Sequence, residues 1–489
     1  MDPLIILHVS DLHRDPKNEV GNNALLLSLE QDRDRYRHET PKIPDPNLII
    51  VSGDIIHGVR HDAAHAEGEL QRQYEQAEEF LVKLGDRFVG GDRERVVIIP
   101  GNHDVSFYHS HNAMKQTKVN LASERGLTAA VTMAKRLWAE ADPVRWAWGE
   151  FCFYEVTDRA LYNRRLEAFC KFYERFYRGA RTYKVEPEKQ FDIFDYPQHN
   201  VTIVGLNSCH DNDPRNKKGE IHAECFSEAC LRLRHPQYRG RLLLATWHHN
   251  TQGGPLQNDY MDPDILQSMI DCGFSIGFHG HQHRPHYIEE KYQFGTEKRM
   301  VLISAGTLCA GSSEIPSGER RAYNILELAP LQLTAKLHQR RMQNQTSGNI
   351  IWGCGRFSLT NSSYVSFKVQ SPPEREDMKV DHHVLGEAEA HMRCKAFAAA
   401  VALLKPMAAA SALAKKMLWD CYVELGDTNS IVADFYPPSS ASEIISMTEA
   451  LWEQDRDKLR TLLDLDIVKT NTDITVVQVR EKYVARLTQ

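Results

Sequence analysis

The sequence predicts an α/β layered fold, with sheets flanked by helices, a helical insertion and a C-terminal α-helical domain. Three observations carry that expectation. First, Leu4-Ile5-Ile6-Leu7-His8-Val9, Leu48-Ile49-Ile50-Val51 and Val96-Val97-Ile98-Ile99 are apolar runs of strand length. Second, between the last two lies a charged stretch from Glu67 to Leu84, with Leu70, Tyr74, Ala77, Phe80, Leu81 and Leu84 at helical spacing. That is a strand-helix-strand rhythm. Third, from Leu385 onward the apolar residues are spaced for helices.

Further strands are expected at Val201 to Leu206, Arg241 to Thr246, Phe274 to Phe278, Met300 to Ser304 and Tyr323 to Leu328. Residues 106–197 interrupt the rhythm and read as a mostly helical insertion rich in Arg, Phe, Tyr and Trp. Within 346–384, Arg356 to Lys368 alternates as one or two strands, and Ser371-Pro372-Pro373 before Glu374-Arg375-Glu376-Asp377 reads as a linker. In 385–489, Ala-rich helices span Ala388 to Leu404 and Ala408 to Leu425, broken at Pro406. A third starts at a capping box of Ser440 and Glu443 and runs to about Leu463.

The 489 residues suffice for two or three domains, and 42% hydrophobic and 26% charged residues are ordinary for a protein with a sizeable core. A net charge of −7 excludes a general polycation and leaves room for a local basic face. The ten cysteines are scattered without a C-x-x-C pair and read as reduced, mostly buried thiols. The first strand begins at Leu4, which leaves no room for a signal peptide before it. No apolar run approaches the ~20 residues of a spanning helix. The expectation is a soluble cytoplasmic protein without membrane association.

Five polar stretches follow short apolar runs: Asp11-Leu12-His13, Gly53-Asp54, Gly101-Asn102-His103-Asp104, His248-His249 and Gly280-His281-Gln282-His283. Loops at strand ends let a rigid sheet aim several ligands at one point. Two divalent cations ~3.5–4 Å apart need a bridging carboxylate with oxygen and imidazole ligands around it. Asp54 suits the bridge, because Gly53 lets the backbone come close. Asp11 and His13, two apart at a strand end, can turn toward one ion. Asn102 offers a neutral oxygen, and His248, His281 and His283 offer imidazoles. Each stretch alone is an ordinary turn or strand end; the set in this order is not.

The pattern D-x-H, G-D, G-N-H-D, H, G-H-x-H resembles the signature of the calcineurin-like metallophosphoesterases, over roughly the first 340 residues. The resemblance implies a layered metallophosphoesterase β-sandwich in residues 1–345. It implies one metal on Asp11, His13, Asp54 and His283, and another on Asp54, Asn102, His248 and His281. His103 would contact the phosphate and protonate or stabilise the leaving oxygen, with Asp104 orienting it. In the His248-His249 pair the first is the expected ligand, although Asn250 replaces the proline often found next. His249, Asn207 and His210 remain as substrate-contact candidates. A metal-bridging hydroxide would attack phosphorus in line with the leaving alkoxide, without a covalent nucleophile. Manganese is the expected metal, with Fe, Zn, Ni or Co as alternatives.

The compact D-L-H, G-N-H-D and G-H-Q-H forms are similar to the phosphodiesterase and SbcD-type nuclease branches. The expected activity is therefore hydrolysis of a phosphodiester in DNA, RNA or a cyclic nucleotide. A DNA nuclease in repair or phage defence is one alternative. A scaffold or signalling module with a vestigial metal site is another, and the complete ligand set argues against it. The insertion holds Trp138, Trp146, Trp148, Phe151, Phe153 and Tyr154 among many arginines, either as a cap that stacks bases and binds phosphates or as a cover for a sheet edge. Phe169, Phe172, Tyr173 and Phe176 at helical spacing favour core. Residues 385–489 hold no ligand cluster; they are a small domain with its own core, or a surface for a protein partner or self-association.

Overall fold

A computed structural model describes residues 3–488 except 118–122, 138–142, 253–258, 292–298, 345–349, 358–360, 373–381 and 409–411. Its strands, in chain order, are β1 Leu4–Val9, β2 Leu48–Ser52, β3 Val96–Ile99, β4 Met114–Thr117, β5 Val144–Ala147, β6 Cys152–Val156, β7 Phe191–Tyr196 and β8 Val201–Leu206. They continue with β9 Leu242–Thr246, β10 Phe274–His279, β11 Pro285–Lys291, β12 Arg299–Ala305, β13 Ala322–Ala329, β14 Thr334–Met342, β15 Trp352–Cys354 and β16 Tyr364–Lys368.

In one sheet β1, β2 and β3 run parallel, β13 pairs antiparallel with β1, and β14 follows with β15 and β16 on it. The other has the order β11-β12-β10-β9-β8-β7, parallel from β12 to β8 and antiparallel at both edges. The two sheets share a core. Val201 and Ile203 of β8 and Val301 and Ile303 of β12 face the β1–β3 sheet. Their neighbours Val204, Leu206, Met300 and Leu302 face the helices Ala223–Leu233 and Pro263–Asp271. Strands buried on both faces need apolar residues at every position, which is why they read as unbroken runs. The predicted amphipathic helix spans Ala66–Phe88 and packs on the first sheet.

The insertion differs from the expectation of a mostly helical segment. It contains a three-stranded antiparallel sheet of order β4-β6-β5, beside helices Phe107–Asn112, Glu124–Leu137, Arg159–Asn163 and Glu167–Phe176. Four- and five-residue strands stable only when paired leave a weak periodic signal. β7, inside the expected insertion, is an edge strand of the second sheet. Phe169, Phe172, Tyr173 and Phe176 are fully buried, and Phe172 stacks on Tyr74 at 5.1 Å. Trp138 lies outside the described residues.

β15 and β16, in the segment expected to hold one or two strands, pair with β14 and extend the first sheet. The chain divides into two units after Glu374. The second holds helices His382–Arg393, Phe397–Leu404, Ala412–Leu425, Thr428–Phe435, Ala441–Gln454, Arg456–Asp464 and Ile474–Leu487 around Leu418, Tyr422, Phe435, Met447, Leu451 and Leu462. The first expected helix is interrupted before Phe397, where Lys395 takes a left-handed φ of 57°. The third is split at Asp455, whose carboxylate accepts the N–H groups of Asp457 and Lys458 and starts a new helix. Ser440 caps its helix through the Glu443 N–H at 3.3 Å, while the Glu443 carboxylate takes Ser439 rather than Ser440. Among the described residues no helix is long and apolar enough to cross a membrane.

Candidate metal centre

The parallel strands β1, β2, β3, β9 and β10 each end where one of the five polar stretches begins. Leaving a strand and pointing successive side chains at one place requires a sharp backbone turn. Asp11, His13, Asp54, His281 and His283 all adopt positive φ, at 52°, 43°, 50°, 78° and 55°. Such conformations disfavour L side chains and persist where the surrounding structure enforces them, often at functional sites. Two glycines make the approach possible. A Cβ on Gly53, which has φ 91°, would strike the His248 ring, and one on Gly280 would overlap Ser10 and Asp11.

The side chains form overlapping groups with ligand atoms in mutual reach: Asp11, His13 and His283; His13, Asp54 and His103; Asp54, His248 and His281. Asp54 Oδ2 lies 3.1 Å from His248 Nε2 and 3.7 Å from His13 Nε2. His283 Nε2 is 3.3 Å from Asp11 Oδ1. Asn102 Oδ1 lies 3.1 Å from His248 Nε2 and 2.9 Å from His281 Nδ1. All seven side chains expected as metal ligands are thus brought together, with Asp54 between the two halves.

The outward ring nitrogens are held from behind. His248 Nδ1 donates to the Ser52 carbonyl at 2.8 Å, and His283 Nδ1 to the Glu314 carbonyl at 2.8 Å. His281 Nε2 faces Asp259 at 3.6 Å. A histidine whose far nitrogen is engaged presents the near one as a free donor pair, as metal ligation requires. Both nitrogens of the buried His13 lack hydrogen-bond partners, which suits a residue whose partner is an ion.

Three supporting residues escaped sequence reasoning: Glu314, Asp259 and His57. Glu314 Oε2 is 3.7 Å from His13 Nδ1, and its Oε1 is 3.6 Å from His57 Nδ1. The only sequence signal for Glu314 was an acid in a turn-rich loop after a parallel strand. The His57 carbonyl accepts His103 Nδ1–H, which leaves Nε2 of that ring for the site.

Asp104 does not orient His103. Its Oδ2 accepts the N–H groups of Gly101 at 2.8 Å and Ile55 at 3.1 Å, and its Oδ1 accepts the Tyr74 hydroxyl at 3.0 Å. It pins the motif loop, and burial, with the Asp54 charge nearby, lifts its pKa to about 7. The three substrate-contact candidates are engaged internally as well. Asn207 donates to Gln190 at 2.7 Å and accepts the Cys209 N–H at 2.8 Å. His210 Nδ1 donates to the Glu220 carbonyl at 3.1 Å. His249 is buried behind the cluster, with Nδ1 on Ser208 Oγ at 2.9 Å. A strand-end polar residue can turn inward to hold its own loop, and sequence does not show which way it turns.

A sequence profile described as calcineurin-like phosphoesterase matches residues 4–285. The chain belongs to the calcineurin-like phosphoesterase family. No curated protein matches this phosphoesterase. Its fold is similar to that of a dimetal phosphatase from Danio rerio, at 10% identity over 72% of this chain and 99% of that one, TM-score 0.38. It is also similar to a putative 5'-nucleotidase from Staphylococcus aureus, at 12% identity over 78% of this chain and 57% of that one, TM-score 0.30. Membership in that family makes the protein a phosphoric ester hydrolase, and its Asp and His clusters can hold metal ions.

The charge balance of this phosphoesterase fits that assignment. Burial alone would depress the His248 and His283 imidazoles, but the touching carboxylates of Asp54 and Asp11 outweigh it and hold each at about 9. Burial keeps His13 and His281 below the ordinary histidine value. The metal-free protein therefore carries protons on His248 and His283 at pH 7, and metal uptake must expel them. Calorimetry in buffers of different ionisation enthalpy should count about two protons released per two cations, and affinity should rise with pH. Absence of proton release would contradict this. Because both pKa values lie above the unfolded value of 6.5, the two ion pairs stabilise the metal-free fold fully below 6.5. That stability is lost as pH rises through about 9, so the melting temperature of chelator-treated protein should fall across this window.

Glu314→Gln should weaken manganese binding by about tenfold or more, because it removes a negative charge 3.7 Å from His13. Titration of metal-free protein measures it, and wild-type affinity would show that Glu314 is only a loop residue.

Proposed function

We propose that this phosphoesterase hydrolyses the phosphodiester bond of a nucleotide or nucleic acid, with manganese as the working metal. The observation that carries the substrate class is the hairpin of β5 and β6. Trp148 and Phe151 at its tip are each 77% exposed, with Trp146 packed beside them. Lower on the hairpin, the Tyr154 ring lies 3.5 Å under the Arg215 guanidinium. Arg215 belongs to the loop that starts at Ser208, beside His248. Exposed aromatic faces on a hairpin that contacts, through Tyr154 and Arg215, a loop of the centre suit bases, which stack on any flat ring.

Asp11, His13, Asp54, Asn102, His248, His281 and His283 would hold two divalent cations, whose chemistry when bound would be to withdraw charge from phosphoryl oxygens and acidify water. Asp54 joins the two ligand groups. His103, its Nδ1–H held by the His57 carbonyl, turns Nε2 to the departing oxygen; as the imidazolium it gives the Nε2 proton to that oxygen and is left as the neutral Nδ1–H ring.

The test assays purified protein with manganese in parallel on plasmid DNA, single-stranded DNA, RNA, cyclic nucleotides and a phosphomonoester, with the Asp54→Asn variant as control. Turnover of the monoester alone would overturn the proposal. Within this class, the aromatic tip favours a nuclease. Its DNA binding should then weaken steeply with salt, as phosphate contacts release counterions.

The ten free thiols fit a reducing cytoplasm. The second unit exposes Leu413, Val423 and Leu425 around helix Ala412–Leu425, at 54%, 50% and 46%, and we assign this helix to contact with a protein partner or a second copy. Leu413→Glu with Leu425→Glu should lower the mass seen by light scattering without changing turnover of a small diester. An unchanged mass would remove self-association.

A further inference from the structure

The insertion sends a polar latch into the catalytic domain. Arg145 on β5 is 7% exposed. Its Nε donates to Asp213 Oδ2 at 2.9 Å, and its Nη2 donates to Asp211. Tyr162, from helix Arg159–Asn163, donates its hydroxyl to the same Asp213 oxygen at 2.9 Å. The Arg165 guanidinium stacks on the Tyr162 ring, 3.7 Å from its centre. Asp211 and Asp213 sit in the loop between β8 and helix Ala223–Leu233. The other Asp213 oxygen accepts the N–H groups of Arg215 at 2.7 Å and Asn216 at 3.0 Å, which folds the loop on itself. Two aspartates withdrawn from water in one short loop require cations beside them, and the insertion supplies those cations.

The far side of this loop touches one half of the metal centre. Ser208 Oγ accepts the N–H groups of His248 and His249, each at 3.1 Å. Gly219 lies so close to His249 that a Cβ would overlap its ring. His249 in turn lies 4.5 Å, centre to centre, from the His281 ring. Gly219 N–H also donates to Tyr260, the neighbour of the Asp259 that faces His281. The loop thus reaches His248 and His281. The opposite half is buttressed elsewhere, by Glu314 beside His13 and His283 and by Thr307 on the Asp11 carbonyl.

We infer that Arg145 and Tyr162 are positioning residues, which act through loop 207–220 to set the affinity of the His248–His281 half for its cation. The inference rests on the dimetal reading of the centre and is independent of the substrate.

The test titrates full-length, chelator-treated wild type, Arg145→Ala, Arg145→Lys and Tyr162→Phe with manganese by calorimetry. Wild type should take up two equivalents. In Arg145→Ala one equivalent should bind within about twofold of wild type and the other about tenfold or more weakly. Arg145→Lys should recover part of the loss. Activity of Arg145→Ala should need correspondingly more manganese and approach the wild-type kcat when saturated. A purely structural role would lower the melting temperature without splitting the two affinities. Tyr162→Phe keeps the ring and loses one hydrogen bond, so it gives the same split in smaller degree if Arg145→Ala does not fold. Equal weakening of both equivalents, or no weakening in a folded variant, overturns the inference. Uptake is read without substrate, so an error in the substrate class leaves this result decisive.

Discussion

Asp54→Asn should reduce kcat/KM by about 10³-fold or more, corresponding to about 4 kcal/mol of lost transition-state stabilisation. Among the described residues Asp54 is the one carboxylate present both in a group with His13 and in the group with His248 and His281. Asparagine keeps the oxygen that accepts the His103 N–H at 2.8 Å, so the motif loop retains its anchor. What disappears is the negative charge that draws two cations together. Metal analysis should find fewer than two equivalents in the variant, while circular dichroism matches wild type. Turnover within tenfold of wild type would mean that Asp54 does not join the two halves.

His103→Ala should lower kcat by about 10²- to 10⁴-fold on esters with alkoxide leaving groups, the usual range for a general acid. KM and metal content should change little, because seven other side chains form the cation cluster. The effect should shrink sharply on a p-nitrophenyl diester, whose leaving group departs without a proton. This dependence on leaving group separates proton donation from a merely steric role. The position of the ring suits proton donation, since its centre lies 4.6 Å from that of His13 and its Nδ1 is tied to the His57 carbonyl. An equal loss on good and poor leaving groups would remove the acid role and leave His103 as a phosphate contact.

The seven cluster side chains were legible because each sits just after an apolar run, and position at a strand end is a local property. Roles within the motifs were less legible. Asp104 follows His103 directly, yet its carboxylate points to Gly101, Ile55 and Tyr74. Direction at a turn depends on which neighbours arrive from elsewhere in the chain. The same holds for Asn207, whose partner Gln190 comes from before β7. The insertion was misread because β4, β5 and β6 span four, four and five residues and their burial does not alternate, so they leave no strand period in the sequence.

What the amino-acid order determined by itself was the layered sheet-and-helix fold and the choice of the seven side chains that the fold brings together. Those depend on hydrophobic period and residue type over a few positions. Only the tertiary structure decided that Glu314 faces His13, that Asp259 stands behind His281, and that Arg145 locks a loop 66 to 68 residues away. Contacts of that kind join segments whose separation along the chain carries no periodic trace. They come into existence when burial brings charges together and leaves each one needing a partner.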